Sequence, residues 1–184
     1  MKVIIFSAPS GSGKTTLVKH ALDAFPRLAF SISCTTRCPR GEETHGKDYY
    51  FLSPEEFKSK IAEGAFVEYE EVYTDKFYGT LKDEVQRIWD ENKVVIFDVD
   101  VKGGIALKKY FGAQALSIFI KPPSVEELER RLISRGTDDE TTIRTRISKA
   151  EEELSYQHLF DKIVTNENLS DAKKEVESLI QSFI

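Results

Sequence analysis

Hydrophobic positions along this chain fall into short blocks that change period. "KVIIF" (2–6) is an apolar run stopped at once by a Ser/Pro/Gly loop, the pattern of a buried strand. Leu17, Ala21, Leu22 and Phe25 then recur at helical spacing, in a segment that ends before Pro26. "LAFSI" (28–32), "VVIFDVD" (94–100), "ALSIFI" (115–120) and "DKIVTN" (161–166) predict further strands. Between them lie "TLKDEVQRIWDENK" (80–93), the stripe Ile143, Ile147, Ala150 and Leu154, and "SDAKKEVESLIQSFI" (170–184), all with helical patterning. "SPEEFKSKIAEG" (53–64) carries its own start and stop. Ser53 is a natural N-cap, Pro54 takes the first helical position, Glu56 closes a capping box and Gly64 ends the helix. "SVEELERRLISRG" (124–136) repeats that grammar with Ser124, Glu127 and Gly136.

Strands alternating with helices predict an α/β domain around a largely parallel sheet. The segment 33–80 breaks the rhythm. It reads as loop-rich with one alternating strand, "AFVEYEEV" (65–72), and as an insert over the sheet where a substrate is gripped. The 184 residues suit a single domain with a real core, and no repeat or linker divides them. A net charge of −5 argues against a broad nucleic-acid-binding face while allowing a local basic pocket. The first apolar run is too short for a signal peptide, and no stretch approaches the roughly 18 apolar residues that cross a membrane. The expectation is a cytoplasmic protein with no membrane partner.

"CTTRCPRGEE" (34–43) poses a choice between two cysteines and two arginines. A structural zinc site wants about four Cys/His ligands at tight spacing, and His20, His45 and His158 are scattered. A disulfide does not suit a reducing compartment. Cys34 and Cys38 are therefore read as packing residues near a loop.

"APSGSGKT" (8–15) follows a strand and opens a helix, the setting of a phosphate-binding loop. Gly11 and Gly13 let successive N–H groups point inward at the positive end of a helix. Lys14 is expected at the β- and γ-phosphates of ATP and the Thr15 hydroxyl on Mg²⁺, with Ser10, Ser12 and Thr16 completing the nucleotide set. Ala8 stands where such loops usually begin with glycine, a position that shapes the turn more than it touches phosphate.

"SCTTRCPRGEETHGKDYYF", "FVEYEEVYTDKFYGT" and "VVIFDVDVKGG", in that order behind the loop, resemble the guanylate kinases along essentially the whole chain. The resemblance implies the P-loop NTPase fold: a core (about 1–32, 81–130 and 156–184), a GMP-binding insert (33–80) and a small lid (131–155). It assigns Arg37, Arg40, Tyr49 and Tyr78 to the phosphate of GMP, a role that suits arginine's planar fork. Glu68 is assigned to the guanine N1–H and N2 amine, with Ser33 and Thr80 toward the O6 edge. Adenine would leave that carboxylate facing a lone pair. Glu70 and Glu71 show that a carboxylate on this strand can equally be surface charge. Asp98 and Asp100 end a strand where ligands of open α/β sheets collect; they could orient Mg²⁺ waters, hold active-site arginines or touch GMP. Arg131, Arg135 and Arg146 match the lid arginines, which with Lys14 and Arg37 form the expected catalytic set, and Asn166 is assigned to the adenine side. Lys102 stands where the family commonly has glutamine, and Tyr69 where it often has tryptophan.

The implied activity is transfer of the ATP γ-phosphoryl group to GMP, and to dGMP, with Mg²⁺ and with no covalent enzyme intermediate, by a monomer or small homo-oligomer. Two rivals are a guanylate kinase-like domain that binds protein partners without catalysis, and a P-loop kinase with another phosphorylated acceptor.

Overall fold

A computed structural model describes residues 1–134 and 139–184. In its first strand, β1 (Val3–Ser7), every residue is buried. Val3 and Ile5 join one hydrophobic cluster while Ile4 and Phe6 join another. Successive side chains of a strand point to opposite faces, so the unbroken apolar run Val3–Phe6 is what a sheet covered on both sides requires. β7 (Val94–Val99) and β8 (Ala115–Lys121) flank β1 in parallel. With β2 (Leu28–Phe30) and β9 (Lys162–Thr165) they make a five-stranded parallel sheet in the order β2-β7-β1-β8-β9.

Helices α1 (Lys14–Ala24) and α7 (Leu169–Phe183) cover one face through Leu17, Ala21, Val176 and Ile180. Helices α3 (Lys82–Asp90) and α4 (Val101–Phe111) cover the other through Ile88, Leu107 and Phe111. Each fully buried aliphatic side chain here stabilises the fold by about 1.5–3 kcal/mol. Among the described residues, no helix is long and apolar enough to cross a membrane.

α4 was not expected from the sequence. Gly103 and Gly104 sit in its first turn, and glycine is a poor helix former. The helix holds because Asp100 caps it, accepting a hydrogen bond from Gly103 N–H at 2.8 Å. Gly104 is needed for space: a Cβ there would lie 2.1 Å from Ser7 Oγ on β1.

The insert is more ordered than its loop-rich sequence suggests. β3 (Cys34–Thr35), β4 (Tyr50–Phe51), β5 (Phe66–Tyr73) and β6 (Lys76–Leu81) form a second sheet in the order β4-β3-β6-β5. This corrects the expectation of one strand. Two-residue strands carry no readable period, and β6 is interrupted by Gly79, where a Cβ would meet Glu68 O and Tyr69 Cβ at 2.9 Å. Helix α2 (Pro54–Ala62) closes the insert over a separate core of Cys34, Phe57, Phe66 and Phe77, with Phe57 stacked on both other rings. Its capping box forms as expected, and Gly64 ends it with a left-handed φ of 65°. The two cysteines part company: Cys34 is buried in that core, its thiol pushed up to about 12 by burial, whereas Cys38 is exposed.

Helices α5 (Val125–Ser134) and α6 (Glu140–Ser155) pair through a cluster of their own, Leu128, Leu132, Ile143 and Ala150. Ser124 Oγ accepts from Glu127 N–H, but Glu127's carboxylate turns to Arg130 and Arg131 instead of closing a box. The predicted stop at Gly136 lies outside the described residues.

Candidate active site

The loop between β1 and α1 is shaped for an anion. Gly13 caps α1 with φ 89°, a backbone conformation that residues with a Cβ rarely adopt. α1 starts with no side-chain cap, so its first N–H groups remain open to a ligand. A Cβ on Gly13 would also lie 2.3 Å from Asn166 Nδ2. Asn166, expected beside adenine, is buried, and its amide donates to the Ser12 carbonyl at 2.8 Å. That hydrogen bond ties the loop to the residue that follows β9. Ser12 Oγ is buried without a partner among the described residues. A cavity of about 340 Å³ opens over the loop, lined by Ser10, Gly11, Gly13, Lys14, Thr15 and Thr16. Arg146 lines it too and donates to Ser10 Oγ at 3.1 Å.

A second cavity, of about 450 Å³, lies between the central sheet and the insert. Ser33, Tyr49, Glu68, Tyr78, Asp98 and Asp100, all candidates from the sequence, line it. Thr80 stands behind Glu68, buried, and donates to its carboxylate at 2.7 Å. Burial above all, with Asp100 and Glu70 nearby, raises the Glu68 carboxyl to about 7 despite that hydrogen bond.

Arg37 does not line the cavity. Its guanidinium lies 4.9 Å from the centre of the Tyr49 ring and makes a bidentate pair with Glu43 at 2.6 and 2.7 Å. Tyr49 and Tyr78 are in turn edge to face, their centres 6.2 Å apart. Arg40 is exposed, and its backbone N–H donates to the same Glu43 carboxylate at 2.8 Å. Those contacts, Arg37 first, hold the Glu43 carboxyl down at about 2. The sequence reading missed Glu43, although "RGEE" places it three residues after Arg40 and six after Arg37.

The two cavities share Lys14, Thr15, Asp98 and Asp100 as a common wall. Asp98 joins them there: one oxygen lies 2.6 Å from Lys14 Nζ, and the other accepts from Thr15 Oγ1 at 3.1 Å. Lys14 also donates to the Val99 carbonyl. A hydroxyl and a carboxylate side by side are hard oxygen donors of the kind Mg²⁺ takes. Among the described residues no cluster of three His, Cys, Asp or Glu side chains could hold a metal alone, so such an ion would need phosphate oxygens as well.

The lid arginines are divided. Arg146 reaches the loop, whereas Arg131 pairs with Glu127 at 2.9 Å and donates to the Asn166 carbonyl at 3.0 Å, lining neither cavity. Arg135 lies outside the described residues. A residue not singled out from the sequence, Glu153, lines the loop cavity with Lys149 3.6 Å away; burial raises its carboxyl. Nothing in "AEEEL" distinguishes it from its two neighbours.

Comparison with known proteins agrees over the whole length. A family model described as Guanylate kinase matches residues 1–183. A guanylate kinase of Porphyromonas gingivalis is 56% identical over 184 residues, covering 100% of this chain and 98% of that one. One of Bacteroides fragilis is 55% identical over 183 residues, covering 100% and 90%. The crystal structure of a guanylate kinase from Anaplasma phagocytophilum superposes with a TM-score of 0.76 at 27% identity, covering 98% and 85%.

Proposed function

The chain belongs to the guanylate kinase family, and from that membership we propose how its residues divide the work of phosphorylating GMP with ATP. The reaction joins the γ-phosphoryl group to the 5′-phosphate of GMP, giving ADP and GDP. The observation that carries the division of labour is the common wall: Lys14, Thr15, Asp98 and Asp100 face both cavities, where a donor and an acceptor phosphate must meet.

The loop cavity takes ATP, its phosphates held by the N–H groups of residues 10–16, by Lys14 and by Arg146. Arg131 and Arg135 belong to the same cationic set. The insert cavity takes GMP, and by the same contacts dGMP. Glu68, with Thr80 donating to it from behind, accepts from N1–H and the N2 amine, Ser33 faces O6, and Tyr49, Tyr78, Arg37 and Arg40 hold the phosphate. Thr15 and Asp98 have the donor chemistry to hold Mg²⁺, which supplies neutralising charge at the β- and γ-phosphates.

The acceptor oxygen is already anionic, so no general base is needed. Alignment and surrounding cations do the rest. The insert (33–80) and lid (131–155), each with a hydrophobic cluster of its own, are read as the parts that close over the core and exclude water.

A coupled ADP-release assay with Mg-ATP and, separately, GMP, dGMP, AMP, CMP and UMP tests this reading. Turnover confined to the guanine nucleotides supports it. Turnover of AMP at a comparable rate would overturn the role of Glu68, and no turnover at all would overturn the reading of both cavities.

A further inference from the structure

Glu70 lines the GMP cavity and has no part in the scheme above. On the β5–β6 hairpin Glu68 stands opposite Thr80, and Glu70 stands opposite Tyr78. Two residues apart on one strand, Glu68 and Glu70 face the same side, about 7 Å along, and both line the cavity. Glu70 is held from two directions. Lys102, in the first turn of α4, lies 3.8 Å away. Asp100 stands beside it and, after burial, is the main cause that raises its carboxyl above the ordinary range. The Glu70 side chain is 29% exposed, against 81% for the surface residue Glu140, so it is no solvated face charge.

With the base edge at Glu68 and the phosphate among Tyr49, Tyr78 and Arg37, the sugar has to pass from the Glu68 rung toward the Tyr78 rung, alongside Glu70. We propose that Glu70 is a specificity-determining residue that accepts a hydrogen bond from the ribose 2′-hydroxyl, so that the pocket prefers GMP to dGMP. The inference rests on reading this cavity as the GMP site. An ionised carboxylate only accepts hydrogen bonds. A ribose hydroxyl satisfies it, whereas the C–H of a deoxyribose displaces water and returns nothing.

The test measures kcat/KM for GMP and dGMP, at saturating Mg-ATP, in the intact chain and in Glu70→Ala and Glu70→Gln. The ratio of the two constants should fall about tenfold in Glu70→Ala, the usual scale for a charge-assisted hydrogen bond, and mainly through KM. Glu70→Gln, isosteric and still able to accept through its amide oxygen, should keep much of the preference. Turnover of dGMP in the same samples reports that the variants are folded. An unchanged ratio in Glu70→Ala, or equal loss of both nucleotides in both variants, overturns the role. Failure of the intact chain to phosphorylate either nucleotide overturns the reading of the cavity, and this inference with it.

Discussion

The loop cavity and the insert cavity meet at Lys14, Thr15, Asp98 and Asp100, yet they are built from different material. Around the loop, backbone sets the shape: an uncapped helix start and two glycines with φ of 96° and 89°, with Lys14, Arg146 and Lys149 as the cationic side chains of the cavity. Around the insert, side chains set it: Glu68 on Thr80, Arg37 on Glu43, tyrosines edge to face. A triphosphate needs only positive potential at fixed spacing, which N–H groups supply without desolvating a charge. A guanine edge needs an acceptor, and burying one raised Glu68 to about 7. Recognition by backbone resists substitution; recognition by side chain can be changed one residue at a time.

The largest test of that contrast is Lys14→Ala. Losing a cation placed on the migrating group should lower kcat by about 10²–10³-fold. GMP binding, followed by isothermal titration, should change much less, because the base and phosphate contacts of the insert remain. Comparable loss of GMP affinity would mean that the common wall couples the cavities tightly and that the contrast is false.

Glu68→Gln works from the other side. An amide presents one donor toward guanine's own donors, so kcat/KM for GMP should fall about 100-fold, with KM for ATP unchanged. The raised carboxyl adds a pH signature. Guanine requires the ionised form, so KM for GMP should rise as pH falls below about 7. The nucleotide's own phosphate titrates near 6; comparison with Glu68→Gln, which lacks the carboxylate, isolates the part due to Glu68. In the unliganded protein the sign is opposite for stability. The folded state holds this proton more tightly than the unfolded chain, so the contribution is present at low pH and fades as pH rises through 7.

The same contrast explains what could be read from the sequence. The loop and the central strands were legible because each is local: a glycine pattern at fixed spacing, or a run such as "VVIFDVD" whose neighbours do not alter its meaning. Glu68, Tyr49 and Tyr78 were reached only through family resemblance, since nothing in "FVEYEEV" separates one glutamate from the next. Helix α4 was hidden by Gly103 and Gly104, and the reason for Gly104 is the closeness of Ser7 on β1. The hydrogen bond of Asn166 to Ser12, more than 150 residues away, could not be read from "VTNEN". Long-range contacts leave no local trace.

Glu43 sharpens the comparison within the insert. Its carboxylate takes two guanidinium nitrogens of Arg37 and the N–H of Arg40, so it fixes both arginines without lining the cavity. Glu43→Gln keeps the shape and loses the charge. The expected result is a KM for GMP about tenfold higher, the scale of one charge-assisted contact, with kcat reduced less. A fall in kcat at unchanged KM would place Arg37 on the migrating phosphoryl group rather than on the GMP phosphate.

The smallest effect belongs to the backbone-built side. Asn166→Ala removes the donor to Ser12 O and leaves a buried carbonyl unpaired, a loss of about 1–3 kcal/mol in stability. KM for ATP should rise a few-fold while KM for GMP holds, since Asn166 lines neither cavity. Gly13→Ala is the informative companion. Its Cβ would lie 2.3 Å from Asn166 Nδ2 and would sit on a backbone with φ 89°. Shortening Asn166 relieves the first problem and not the second. Gly13→Ala should therefore cost less stability in the Asn166→Ala background than in the intact chain, and a remainder of about 1–2 kcal/mol should persist from the left-handed conformation. Additive losses, measured by denaturant unfolding, would show that the loop yields to the methyl group elsewhere and that Asn166 does not set its shape.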